Sequence, residues 1–569
     1  MAETLISPGV LARENDSSFI RQQPVSVGAA IIGPTVLGPI EIPTIVTSYS
    51  DYLNKFGGAF QSGSDSYAYL TSQAAFNYFN NNGTSLLVAR VVSKSADWSV
   101  ATSTTIGSIG ATGSATIVLN TISKGTIMNS SSSLDLSGSL ASGTENNVRW
   151  QILNSDTSSG TFSLLIRQGN DNTNNQTVLE TFTNLSLDPF APNFISRVIG
   201  DQVQNYNPTT NQIETSGSYF NGSRYVYVSA VNNLTPNYFD NTGVAKTQFT
   251  GSIPVNASGS FTGATGTIKA GAKFYDQIDA TDTQGLVGTS YDNMIDLLAN
   301  QDDYKFNIIL TPGLIKDFHA TQCNTIVTNT QTRGDSLYVV DLVGYSTQTL
   351  STVTSVANSI NTSYAATYWP WVQVLDSSTG KNVWVPASTV IGGVYAFNDS
   401  VSEPWFAPAG INRGGLQVIR AAQKLPQSSR DTLYTNKVNP IATFPGTGTV
   451  VYGQKTLQTQ ASALDRVNVR RLLIALKNYI SQIANTLVFE QNTIATRNVF
   501  LSQVNPYLES VQQKQGLYAF RVIINETNNT ADVIDRNELI GQIYIQPTRT
   551  AEFIYLDFNI LPTGATFPA

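Results

Sequence analysis

The sequence predicts a multidomain chain of α/β and α+β class, with an inserted all-β region and extended terminal arms. Three observations predict it. Strand and helix patterns alternate over residues 25–94 and again over 281–410, which is how a largely parallel sheet reads. Between them, residues 95–280 are rich in Ser, Thr, Asn and Gly with short alternating apolar runs, the pattern of all-β modules. From residue 411 an amphipathic helical stretch leads into β-rich text. The chain, 569 residues long, exceeds one core, and usual domain sizes give about three or four units.

Residues 1–24 hold little core-forming pattern and are expected to form an arm. Ser7-Pro8-Gly9 breaks the chain, and Val10, Leu11, Ala12, Arg13 and Glu14 make one isolated candidate strand. It either joins its own domain's sheet or pairs with a neighbour. Globular text follows: 29–32 (AAII) is a buried strand closed by Gly33-Pro34. Ser48 or Ser50 caps a short helix ending at Gly57-Gly58. A helix over 67–79 and a buried strand over 86–92 (LLVARVV) complete the first half of the α/β unit.

In the insertion, strands are expected at 116–119, 150–153, 162–166 and 225–228, and 184–201 reads as a loop entering a short helix. The α/β pattern then resumes with helices at 291–298, 315–329, 347–361 and 387–397. Strands alternate with them at 306–310, ended by Thr311-Pro312-Gly313, and at 336–341, 368–374 and 383–385. A last α+β unit, 411–538, opens on a helix over 465–489. There Val469, Leu472, Leu476, Ile480, Ile483 and Leu487 recur every three or four residues on one face. Arg466, Arg470, Arg471 and Lys477 fall mostly off that face, either as a solvated surface or as a dock for an acidic partner. A second helix, 494–513, is expected to be kinked or divided by Pro506, with a strand at 520–525 after it.

The closing stretch, 539–569, organises the functional reading. Ile543, Tyr544, Ile545 and Gln546 alternate in character, as do Phe553, Ile554, Tyr555, Leu556, Asp557, Phe558 and Asn559 after a break at Pro547. Two β-rich runs at the end of the sequence imply an open sheet edge, whose unpaired N–H and C=O groups recruit other chains. The expectation is attachment by strand exchange between subunits.

Composition agrees. Hydrophobic residues are 41% and aromatic residues 10% of the chain, but charged residues only 12%, roughly half the usual share. Such a surface suits extensive contacts better than free diffusion. A net charge of −7 lacks the basic footprint of a nucleic-acid binder. A single cysteine, Cys323, excludes an internal disulfide. The amino terminus shows no basic region followed by an apolar core, so no secretory signal is expected. The most apolar stretch, 472–489, is interrupted by Lys477, Asn478, Gln482 and Asn485 and reads as an amphipathic helix, not a membrane span.

Catalytic patterns are missing. His319 is the only histidine, expected on a helix surface or boundary, with Cys323 four residues on expected in the core. Neither completes a metal site. The 445–449 and 377–381 glycine-bearing stretches lack phosphate-loop spacing and read as turns. Asp535 and Glu538 read as a helix cap at capping-box distance, not as a carboxylate pair. No enzyme activity, cofactor or metal is expected.

Several ordered motifs resemble one family. The block 496–567, from TRNVFLSQVNPYLESV to LDFNILPTGATF, resembles the C-terminal domain of tail sheath proteins of contractile-tailed bacteriophages. ISPGVLARE (6–14) and AAIIGPTVLGPIEIPTIVTSYSDYLNKFGG (29–58) resemble the family's opening, with NLSLDPFAPNFISRVIGD (184–201) and INRGGL (411–416) as internal matches. The resemblance implies a homo-oligomer of hexameric rings stacked as a helical sheath on a tail tube, which contracts to drive the tube through the bacterial envelope. Implied partners are the tube, baseplate and tail terminator or neck proteins, with no direct nucleic-acid contact and no membrane insertion. Implied location is the virion tail, after assembly in the host cytoplasm. It also implies strand exchange through Val10–Glu14, Ile543–Gln546 and Phe553–Asn559, and places 411–538 next to the tube, with Arg466, Arg470, Arg471 and Lys477 as candidate contacts. Rival readings are the sheath of a bacteriocin-type injection particle and a β-rich phage fibre; the long repeats of a fibre are not evident.

Overall fold

The computed structural model describes residues 27–552, apart from 63, 95–96, 112, 132, 136 and 268–271. The α/β unit is built on an eight-stranded sheet. Its strands are β1 (Val27–Gly33), β2 (Thr44–Val46), β3 (Leu86–Arg90), β4 (Phe306–Ile315), β5 (Leu337–Asp341), β6 (Ala365–Trp369), β7 (Asn439–Phe444) and β8 (Gly448–Val451). In space they run β2-β3-β1-β4-β5-β6-β7-β8. The six central strands are parallel, and β2 and β8 close the sheet as antiparallel edges. Period-two alternation sends Ala29 and Ile31 into one core and Ala30 and Ile32 into the other. Both faces are therefore covered, as a parallel sheet requires.

One face is covered by α1 (Tyr49–Phe56) and α2 (Leu70–Asn80), and by the helix Ser388–Val401. Ser48 extends its hydroxyl to the Asp51 N–H at 3.0 Å and Gly57, at φ 71°, ends α1. A cap of this kind contributes about 1 kcal/mol. The other face is covered by α3 (Ala320–Arg333), α4 (Leu350–Asn358) and the short helix Asp292–Leu297. Helix α5 (Ser388–Val401) crosses beside α2 on the first face. Helix α6 (Gln427–Thr435) packs near β7.

The insertion leaves after β3 and returns before β4, strands separated in space only by β1. It folds as two facing antiparallel sheets, one centred on Ala115–Lys124 and the other on Val148–Asp156 and Thr161–Gln168. Trp150, Phe162, Leu119 and Phe261 share its core. Two short helices, Ile195–Ile199 and Thr247–Thr250, accompany these strands.

Several expectations are corrected. The 311–313 stretch does not end its strand: β4 continues to Ile315 and absorbs the break as a register shift against β5. The single strand expected over 368–374 splits into β6 and a separate strand, Val372–Leu375, in a small sheet. The helix expected from 315 starts at Ala320, and the one expected from 67 starts at Leu70, because 65–68 pairs as a hairpin with 59–62. The α/β unit does not stop at 410; β7 and β8 extend its sheet, pairing Tyr368 with Asn439.

The C-terminal unit is made of α7 (Val467–Asn485), α8 (Ile494–Gln513), β9 (Leu517–Ile523) and β10 (Gln542–Pro547). Leu472, Leu476 and Ile483 of α7 meet Phe500, Val504 and Leu508 of α8, as the three-to-four spacing predicts. Helix α8 passes through Pro506 undivided. Val467 and Ile474 belong to the α/β core instead, so α7 joins the two units. Asp535 does not cap a helix: it is the last residue of the short helix Ala531–Asp535, and Glu538 pairs with Arg536.

Candidate assembly surface

Strands β9 and β10 form an antiparallel pair, with Ile543 opposite Val522 and Ile545 opposite Phe520. Ile543 and Ile545 pack on the helices α7 and α8, while Tyr544 is 56% exposed on the opposite face. The alternation read from the sequence is thus realised against β9, the strand that precedes β10 in the chain. Among the described residues neither outer edge of this pair has a strand partner. A two-stranded sheet is marginal alone, and here the helical layer beneath supports it. Each bare edge presents N–H and C=O groups that a strand from another chain can satisfy. Val10–Glu14 and Phe553–Asn559 lie outside the described residues.

The four basic residues do not form one face. Arg470 and Arg471 are each 4% exposed. Arg470 stacks on the Tyr364 ring at 4.0 Å and donates to the Ser363 hydroxyl; Arg471 pairs with Asp399 and lies over Tyr395 at 4.9 Å. They cannot contact a tube from these positions. The first half of α7 is buried all round because the α/β unit covers the side that the apolar stripe leaves free. Arg466 is engaged with Asp465 and Glu552. Lys477 alone keeps an exposed ammonium, 3.2 Å from the Tyr364 hydroxyl.

His319 sits at the head of α3, buried, its Nδ1 accepting the Ile315 N–H at 3.1 Å. Burial lowers its pKa, so it is a neutral structural residue rather than a surface one. Cys323 is in the core as expected. Stretches 445–449 and 377–381 are the turns between paired strands. Among the described residues no three His, Cys, Asp or Glu side chains gather as a metal site, and no helix is long and apolar enough to cross a membrane. What sequence reasoning missed is Glu552, which no local pattern marks.

Two adjoining family models match this architecture: the phage tail sheath protein central domain over residues 288–457, and the phage tail sheath C-terminal domain over 459–561. Both matches are to domains of phage tail sheath proteins, and they follow one another along the chain. The first model ends just after β8, where the eight-stranded sheet is complete, and the second takes in α7 to β10. Among sheath proteins, that of Vibrio phage KVP40 is 43% identical over 210 residues, covering 37% of this chain and 31% of the relative. That of Enterobacteria phage T4 is 40% identical over 210 residues, covering 37% and 32%. The match spans about a third of the length of these curated relatives. A sheath tail protein of Listeria innocua shares the fold at a TM-score of 0.52 and 10% identity, over 92% of this chain and 96% of that one.

Proposed function

We propose that this chain is the structural subunit of a contractile tail sheath: it polymerises as stacked hexameric rings around a tail tube and contracts to drive the tube through a bacterial envelope. The observation that carries this reading is the β9–β10 pair, held on α7 and α8 inside the matched sheath C-terminal domain and, among the described residues, open on both edges. Strands 10–14 and 553–559 of adjacent copies complete it, main-chain bonds giving attachment and side-chain alternation giving register. The role is mechanical, with baseplate, tube and neck proteins as partners and no catalytic step. The extended polymer is a kinetically trapped state that relaxes into more extensive contacts when triggered. Of the basic residues, Lys477 is the one left to face an acidic tube.

Negative-stain electron microscopy of the purified chain tests this. Full-length protein should form tubular polymers, and protein lacking residues 1–20 should remain folded and soluble but unpolymerised. Polymers of normal length from the truncated chain would remove the strand-exchange reading. Reversing Lys477 to Glu should weaken attachment to purified tube and leave spontaneous polymers intact.

A further inference from the structure

We propose that Glu552 is a buckle: it pins a strap, residues 548–552, across the two units and so fixes the point and direction at which the chain beyond it leaves the body. The strap begins on the C-terminal unit, where the Thr548 N–H donates to Gly516 at 3.2 Å and its hydroxyl to Gln515 at 2.6 Å. Two residues later it has reached the α/β unit, where Gln454 donates to the Thr550 hydroxyl at 2.6 Å. Glu552 then enters a socket built from three separate places: Tyr434 on α6, Gln454 just after β8, and Arg466 at the head of α7.

The socket saturates the carboxylate. Oε1 accepts from Arg466 Nε at 2.8 Å and Gln454 Nε2 at 3.1 Å; Oε2 accepts from Arg466 Nη2 at 3.0 Å and from the Tyr434 hydroxyl. Arg466 is aligned in turn by Asp465, at 2.8 Å from Nη1, and Lys455 lies over the Tyr434 ring at 4.4 Å. The Glu552 side chain is 17% exposed. Charge-assisted, two-point contacts of this kind are directional as well as strong. A guanidinium fork fixes the plane of the carboxylate, and with it the heading of the backbone that carries it. Arg466 is therefore a positioning residue for the strap. In a polymer held together by strand exchange, which is the reading given above, the linkage between copies would take its origin at this socket. The buckle itself is a property of the single chain.

Hydrogen exchange of the full-length chain, read by mass spectrometry, tests it. In Glu552→Gln, the strap amide of Thr548, which donates to Gly516, should exchange at least tenfold faster than in the parent, with β9 and β10 unchanged. Arg466→Lys, which keeps the charge and loses the fork, should fall between the two. Gln454→Ala, which removes the neutral donor to Glu552 and Thr550 and leaves the charge pair in place, gives a second loosening variant if Arg466→Lys folds poorly. A Thr548 amide that exchanges at the parent rate in Glu552→Gln would overturn the buckle, as would equal loss of protection in β10. The two proposals fail separately. A loosened strap in a chain that never polymerises supports the buckle and sinks the sheath reading; a normal strap in a chain that does polymerise does the reverse.

Discussion

Arg471 closes a two-point ion pair on Asp399, Nη1 to Oδ1 at 2.9 Å and Nη2 to Oδ2 at 2.5 Å. The pair ties α7 of the C-terminal unit to the last turn of α5 in the α/β unit. The Tyr395 ring beneath Arg471 is itself hydrogen-bonded to Tyr368 on β6 at 2.6 Å. Removing Asp399 leaves a buried guanidinium with a ring but no carboxylate. Breaking a fully buried pair costs ~3–5 kcal/mol, and Asp399 keeps 35% exposure, so solvent screening reduces the loss. Asp399→Ala should cost about 2 kcal/mol in urea unfolding. The double variant Asp399→Leu with Arg471→Met should recover part of that loss, because the stranded charge goes with its partner. Equal stability of Asp399→Ala and parent would show the pair to be idle.

Stability should also fall with pH through a buried acid. Asp341 ends β5, and the Ser388 N–H and hydroxyl at the start of α5 donate to it. Burial pushes its carboxyl up to about 7, partly offset by those two bonds. The sign follows from proton counting. Between the usual carboxylate value and about 7 the folded chain keeps a proton that the unfolded chain has released, so stability drops as pH rises through that window and levels off above it. Asp341→Asn cannot titrate and can still make both bonds to Ser388. From pH 4 to pH 8.5 the stability of Asp341→Asn relative to parent should shift in the variant's favour by on the order of 3 kcal/mol. A difference that stays constant with pH would mean that Asp341 is ionised in the fold.

How far these features were legible before the structure depends on where their partners lie in the chain. Ser48 and Gly57 needed only neighbours, and the helix they bound is where they put it. The apolar alternation at Ile543 and Ile545 was equally plain. The burial of Arg470 and Arg471 was not, since Ser363 and Asp399 stand 107 and 72 residues away and helical spacing alone cannot foresee a second unit covering the polar side. Strand β7 was hidden by Pro440, which lacks the N–H a ladder usually needs and sits second in the strand, where that loss is tolerated. Residues 311–313 and Pro506 misled in the same way: local breakers were overridden by packing on both sides.

The crossing of α2 and α5 depends on a missing side chain. A Cβ on Gly393 would stand 2.6 Å from the Asn77 carbonyl oxygen, which is backbone and cannot turn away. A Cβ on Gly392 would stand 2.6 Å from Leu310 Cδ1, the tip of a flexible side chain. Replacing a mid-helix glycine by alanine gains ~1 kcal/mol in helix propensity, against ~1–3 kcal/mol for overpacking. Propensity and overpacking should nearly cancel in Gly392→Ala. Overpacking should win in Gly393→Ala, which is expected to lose about 2 kcal/mol by urea or thermal unfolding. The reverse order of the two variants would mean that the helices are not in backbone contact.

Cys323 offers a probe of opening that needs no substitution. Its thiol has no exposed surface, packs among the residues between β4, β5 and α3, and is pushed up to about 12 by burial despite a weak contact from the Tyr338 hydroxyl at 3.6 Å. The thiolate is the reacting species, so both accessibility and ionisation oppose attack in the folded chain. A disulfide reagent at pH 8 should therefore label native protein only at the rate at which this core opens. Asp399→Ala lowers the cost of opening only if the joint between the units communicates with the core on the far side of the sheet. If labelling accelerates in that variant in proportion to its loss of stability, opening at Cys323 is global. If labelling of the parent is complete within the dead time of mixing, the thiol is not in the core at all.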